Sequence, residues 1–212
     1  MFAQALDMSL RQLAQTTKGL NEAKKQRSRP DFKANPAGFD GGVELLRSRA
    51  QEVMMVTQAL MQKASGSLPE LQLAVTDAIM KLQELALDTK SLSSSVVDPA
   101  DRECLFQSVM SMIGGLESLL KQLRQVAGKG KDVTKPAIKP LVKDVIKAIG
   151  SVLDVLDATE AQQAKLMEAR QKAAEVEVEK QRDTMLDSAR KIAQVAKDLA
   201  AMSKKAAPAH QV

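Results

Sequence analysis

The chain has 212 residues, of which 44% are hydrophobic, and carries a formal net charge of +5 at pH 7. It contains no Tyr, no Trp and only four Phe, whereas β-strands are rich in aromatic side chains. Leu, Met and Ala, which favour helices, supply most of its hydrophobic residues. The composition therefore disfavours a sheet protein and predicts an all-α fold.

Cysteine usage and hydropathy predict a cytoplasmic protein. Cys104 is the only cysteine, so an intramolecular disulfide is impossible, which is typical of a reducing compartment. Asp7 and Arg11 interrupt the N-terminal apolar residues, so these do not form the apolar region of a signal peptide. No segment approaches 18 consecutive apolar residues, and a membrane-spanning helix is not expected.

Apolar residues recur every three or four positions through six segments, which predicts helices with one buried face. The predicted helices cover residues of about 2–27, 43–65, 68–93, 99–127, 137–156 and 158–206. Short connections favour antiparallel neighbours, apart from a long connection over residues 28–42. We expect an antiparallel up-and-down bundle of five to six long amphipathic helices, as a single bundle over residues 1–207 with a disordered tail over residues 208–212.

Several helix boundaries have recognisable signals. Ser67 is a plausible N-cap with Pro69 in the first turn, and Asp98 followed by Pro99 predicts the next start. Residues 151–207 contain neither Gly nor Pro, so they could form one continuous helix or two. We favour a break near residues 157–160, because Asp157 and Glu160 have the spacing of a capping box.

The sequence offers little that could support catalysis. The sole histidine, His210, is the third residue from the end of the sequence, which predicts no catalytic residues, no metal site and no cofactor. The segment GKGKD at residues 128–132 lacks the spacing and the preceding strand of a phosphate-binding loop. A non-catalytic protein is therefore expected.

Lysines are concentrated near the start of the fifth predicted helix, and three of them share a helix face because they are four residues apart. This basic stripe is a candidate site for a partner or for anionic lipid, although a solvated surface is the simpler interpretation. Nucleic acid is disfavoured, because the chain lacks the aromatic residues that stack on single-stranded bases. The basic stripe comprises Lys129, Lys131, Lys135, Lys139, Lys143 and Lys147.

The long connection contains Phe32 and Phe39, which are half of the aromatic residues. Two interpretations are open: the rings fill the end of the bundle, or they form a candidate binding loop.

The helices resemble those of the talin rod and of the related vinculin and α-catenin bundles, notably in SLRQLAQTTKGLNEA at residues 9–23 and in DSARKIAQVAKDLAAMSKKA at residues 187–206. The segment LFQSVMSMIGGLESLLKQL resembles the vinculin-binding helices of talin. This resemblance implies an exchangeable helix that becomes a ligand when the bundle opens. Its buried stripe would comprise Leu105, Val109, Met112, Leu116, Leu119 and Leu123.

The resemblance implies a cytoplasmic adaptor that binds cytoskeletal or adhesion proteins through its helices. No actin-binding signature of the I/LWEQ type is present, so actin binding has no motif to support it. Two alternatives are a peripheral membrane protein that uses the basic stripe and a self-associating protein that uses the seven-residue repeat of the last helix. The oligomeric state stays open.

Overall fold

A computed structural model describes the backbone of residues 2–63, 67–128 and 135–206. Within these residues the only regular secondary structure is helical and no strand is present, which confirms the predicted all-α bundle. The five helices are α1 (Phe2–Arg27), α2 (Phe39–Lys63), α3 (Leu68–Ser93), α4 (Pro99–Gly128) and α5 (Lys135–Ala206).

Ion pairs show that α2 runs antiparallel to α3 and that α1 runs antiparallel to α4. Arg49 and Glu52 of α2 bind Asp88 and Lys81 of α3, so position numbers rise along α2 as they fall along α3. The same relationship holds between α1 and α4, where Asp7 pairs with Arg124 and Lys24 pairs with Glu103. Helix α3 is central, since it packs against α1, α2 and α4.

The apolar core lies in one compact unit, Met1–Gln163. Each helix contributes one stripe to it, and the largest fully buried side chain is Phe106. Helix α5 contributes residues spaced alternately by three and four: Val142, Val145, Ile149, Val152 and Leu156.

Helix α2 begins at Phe39, four residues before the predicted start, because a short turn precedes it. Gly38 adopts a φ of 84°, which favours glycine, and the N–H of Phe39 donates to the carbonyl of Pro36. A Cβ on Gly42 would lie 3.0 Å from Cδ1 of Leu92, so glycine allows α2 to approach α3 closely. The connection between α1 and α2 therefore covers residues 28–38, not the predicted 28–42, because residues 39–42 belong to α2.

The helix starts at Ser67 and Asp98 have the predicted caps. Ser67 and Glu70 form a reciprocal capping box at the start of α3. At α4, the Oδ1 atom of Asp98 accepts hydrogen bonds from the backbone N–H groups of Ala100 and Asp101.

Helix α5 continues through residues 157–160, where the sequence favoured a break. The carboxylates of Asp157 and Glu160 do not cap a helix but both accept from Arg47 of α2, at 2.8 and 2.9 Å. The buried stripe also continues past Leu156 to Thr159 and Gln163 with the same helical spacing. These contacts favour an uninterrupted helix over the break.

The second compact unit, Ala164–Val212, contains the remaining residues of α5. From Met167 to Met202 every side chain in it is exposed. The single bundle over residues 1–207 stays a prediction.

Candidate functional site

The two predicted loop phenylalanines have different surroundings. Phe39 is buried as the first residue of α2, so it contributes to the core and is not a surface binding residue. Phe32 is partly buried, and two guanidinium groups lie over its ring, with Arg102 at 4.8 Å and Arg27 at 5.3 Å from the ring centroid. This packing favours the interpretation that the two rings fill the end of the bundle over the interpretation that they form a binding loop.

Arg102 fixes this end of the bundle. Its side chain is 7% exposed, and Nη1 donates to the carbonyl oxygens of Val96 and Val97 at 2.8 and 3.1 Å. Burial lowers the pKa of Arg102, and the charge of Arg27 lowers it further, whereas Asp98 opposes the shift. The backbone N–H of Asn35 also donates to the carbonyl of Ser94, which ties the connection to α3.

The basic stripe is only partly described. Lys129 and Lys131 lie outside the described residues, and Lys135 begins α5 but its side chain lies outside them too. Lys139, Lys143 and Lys147 are exposed on α5 at intervals of four. In the described part of the chain none of the three has a carboxylate partner.

The predicted exchangeable stripe forms the inner face of α4, and all six of its side chains are at most 1% exposed. Removing six such side chains from the core would cost roughly 9 to 18 kcal/mol, at about 1.5 to 3 kcal/mol each. That cost is comparable to the whole free energy of unfolding of a domain, about 5 to 15 kcal/mol. The resting bundle therefore does not present this stripe, and helix exchange stays a prediction.

Helix α3 presents a different apolar surface that is already exposed. Neighbouring helices cover most of α3, and an apolar stripe remains uncovered at Leu73, Met80 and Leu87, which are 65%, 48% and 61% exposed. These residues are seven positions apart and thus share one face of the helix. Exposed apolar residues in such an arrangement are typical of an interaction surface.

A groove between α2 and α3 extends this stripe. It encloses about 320 Å³, and Leu73 and Met80 form part of its wall. Lys63 and Asp77 add one charge of each sign to the lining. The remaining lining residues are Val56, Ala59, Ala74 and Thr76.

An ion-pair network holds the two walls of this groove together. Glu52 of α2 contacts Lys81 of α3 at 3.1 Å and Arg49 at 2.9 Å, and these hydrogen bonds lower the pKa of its carboxyl. Arg49 reaches across to Glu84 and Asp88 of α3. The pKa of Lys81 is raised, chiefly by its hydrogen bonds to Glu52 and Glu84. These pairs link α2 to α3 next to the groove.

This groove was not expected from the sequence. The periodicity of α3 indicates one core face that includes Leu71, Ile79 and Leu82, and all three are buried. Leu73, Met80 and Leu87 form a second apolar stripe in the same helix. Two apolar stripes on one helix are the signal that points to a second contact surface.

The fold and the groove thus define an all-α helical bundle with a preformed apolar surface on α3. No protein-family model matches the chain, and no curated protein sequence is significantly similar to it. The resemblance to the talin and vinculin bundles stays a prediction. In the described residues no helix is long and apolar enough to cross a membrane.

Proposed function

We propose that the protein is a non-catalytic adaptor that binds an amphipathic helix of a partner protein in the groove between α2 and α3. The observation that carries this proposal is the exposed apolar stripe of Leu73, Met80 and Leu87 beside that groove. The cytoplasmic location and a cytoskeletal or adhesion partner are further parts of the proposal that derive from the sequence.

The spacing of the stripe indicates what kind of ligand fits. Side chains seven residues apart on one helix match the apolar residues of a second helix that crosses it at a small angle. Met80 has a flexible side chain that can adapt to different partner residues. Lys63 and Asp77 at the groove would select a helix with charges of opposite sign at its edges.

Binding of a partner helix to a preformed groove costs less free energy than exchange of α4 for that helix. Binding to the groove leaves the core intact, whereas release of α4 would expose the six buried residues of its inner stripe. Neither Leu73 nor Met80 belongs to the core. The groove is therefore the surface on which we place partner binding.

The test compares the intact chain with Leu73→Glu/Met80→Glu as bait in a cytoplasmic extract. Proteins recovered with the intact chain are identified, and their helical segments are synthesised as labelled peptides for fluorescence anisotropy. We expect at least one peptide to bind, with an affinity that the double variant reduces at least about tenfold, because a charge would replace buried apolar contacts.

Met8→Glu provides the matched control, since Met8 is as exposed as Leu73 but lies on α1. It should bind the peptide like the intact chain. If no recovered peptide distinguishes the α3 variant from the control, the groove is not the docking surface.

The exposed lysines favour a second candidate function, peripheral binding to anionic membranes. Lys139, Lys143 and Lys147 each face solvent, and each lysine near an anionic surface contributes about 1 kcal/mol. In this case the intact chain should co-sediment with phosphatidylserine vesicles at low salt, and K139E/K143E/K147E should not. Retention of the variant on the vesicles would exclude the candidate.

A further inference from the structure

We propose that residues 174–202 of α5 pair with the same segment of a second copy of this chain as a parallel, in-register coiled coil. This inference goes beyond the proposed function, because it concerns the second compact unit and involves no residue of the groove. It rests on the exposure, the spacing and the charges of that segment.

The segment is a helix whose described side chains are exposed. Every side chain from Met167 to Met202 is exposed, and residues 164–206 contain neither Gly nor Pro. In proteins most helical stability comes from tertiary packing of an apolar face. Exposed apolar residues that recur on one face of this helix are therefore a candidate contact surface.

The apolar residues occupy the positions of a coiled-coil seam. Those at intervals of seven are Val178, Met185, Ile192 and Leu199, which are between 62% and 75% exposed. The alternate seam position, three residues further on in each repeat, is polar in the first two repeats, at Gln181 and Ser188. In the last two repeats it is apolar and exposed, at Val195 and Met202. A sustained repeat of this period packs into a left-handed coil with a second helix.

The seam residues and the flanking charges favour the same segment of a second copy as the occupant. In a parallel, in-register pair, Glu177 lies beside the seam and faces Arg182 of the second copy, and the symmetry provides this contact twice. In this register each of the seam residues Val178, Met185, Ile192 and Leu199 meets the same apolar residue of the second copy.

Sedimentation equilibrium of the full chain tests the pairing. We expect a mass that approaches twice 22.9 kDa as concentration rises. Ile192→Asp/Leu199→Asp should remain at the monomer mass, because two charges would be buried in the seam. The matched control is Val176→Asp/Leu186→Asp, which changes two exposed apolar residues on the outer face of the helix, away from the seam, and should still dimerise.

Disulfide trapping tests the register. With Cys104→Ser as background, Met185→Cys should form an intermolecular disulfide on mild oxidation, because equivalent seam residues in a parallel pair lie within disulfide reach. Leu186→Cys, one position away, should form much less. Far-UV circular dichroism should show lower helicity in the seam variant than in the control.

A monomer at all concentrations would overturn the proposal. A dimer that the seam variant does not weaken would overturn it too, as would a dimer that traps Met185→Cys no better than Leu186→Cys. The groove variant Leu73→Glu/Met80→Glu should dimerise normally, so failure of this proposal is distinguishable from failure of groove binding.

Discussion

Gly115 of α4 faces Val145 of α5 so closely that a Cβ added at Gly115 would lie 3.3 Å from Cγ2 of Val145. Its neighbour Gly114 has open space around the corresponding position. The two adjacent glycines therefore differ: one permits a close approach between helices, and the other only weakens α4.

We expect Gly114→Ala to raise the free energy of unfolding by about 1 kcal/mol, since alanine favours a helix interior over glycine by that amount. Gly115→Ala should raise the free energy of unfolding by less, because Val145 must shift to admit the methyl group. Urea denaturation measures both. In a Val145→Ala background, Gly115→Ala and Gly114→Ala should raise the free energy of unfolding equally. If Gly115→Ala still stabilised the protein less than Gly114→Ala, contact with Val145 would not be the cause.

Acid should weaken the pairing of α2 with α3. Hydrogen bonds from Lys81 and then Arg49 lower the pKa of Glu52 below its ordinary value of 4.5. A lowered folded-state pKa contributes stability that is present above the unfolded value and is lost as the pH falls through the folded value. The free energy of unfolding should thus decrease as the pH falls below about 4.5.

Other carboxyl groups modify this profile. Glu103 contributes in the same direction, because hydrogen bonding to Lys24 lowers its pKa. Asp101 acts oppositely, because burial and the charge of Asp98 raise its pKa, so its protonation favours the folded state. Across this pH range the free energy of unfolding of Glu52→Gln, measured by denaturation, should decrease less steeply than that of the intact chain. An unchanged slope would contradict the assignment, and high salt should flatten both profiles.

Gln163 links α5 to the connection between α3 and α4. Its Oε1 accepts from the N–H of Val97 at 3.0 Å, and its Nε2 donates to the carbonyl of Ser95 at 3.3 Å. Gln163→Met keeps the size but removes both bonds, so we expect a loss of about 1 to 3 kcal/mol in chemical denaturation. Gln162→Met at the adjacent partly exposed position should change stability by at most about 0.5 kcal/mol. Equal effects would show that the two hydrogen bonds contribute nothing specific.

Arg102 should be required for an ordered end of the bundle. Arg102→Met would leave the carbonyls of Val96 and Val97 without their donor and remove one cation from the ring of Phe32. We expect a loss of about 1.5 to 3 kcal/mol, the value of a hydrogen bond to a charged group. Phe32→Leu, which retains both hydrogen bonds, should lose less in the same urea titration. If Phe32→Leu lost more stability than Arg102→Met, the ring of Phe32 would contribute more than the two hydrogen bonds of Arg102.

Periodicity predicts much of the fold because the apolar residues of each core stripe recur every three or four positions within a single helix. The predicted bounds of α1 and α3 agree with the structure, and those of α4 agree within one residue. The start of α2 and the continuity of α5 are not predictable in this way, because they depend on distant contacts. Gly42 acquires its role from Leu92, and the carboxylate of Asp157 acquires its role from Arg47.

The candidate site was hidden for a related reason. Leu73, Met80 and Leu87 resemble core residues in the sequence, and only the packing of three other helices around α3 shows that they remain uncovered. In the basic stripe, by contrast, the lysine spacing correctly indicates that Lys139, Lys143 and Lys147 share an exposed face.

The consecutive positions of α2 and α3 in the chain affect when the proposed docking groove forms. Both walls of the groove come from helices adjacent in the chain, so their assembly needs closure of only the short connection between residues 63 and 68. Contacts of low sequence separation form quickly during folding. We expect pulse-labelling hydrogen exchange to detect protection in α2 and α3 before α5, and simultaneous protection would contradict this order. Residues 39–93 would then have a partner-ready surface before synthesis of the chain is complete.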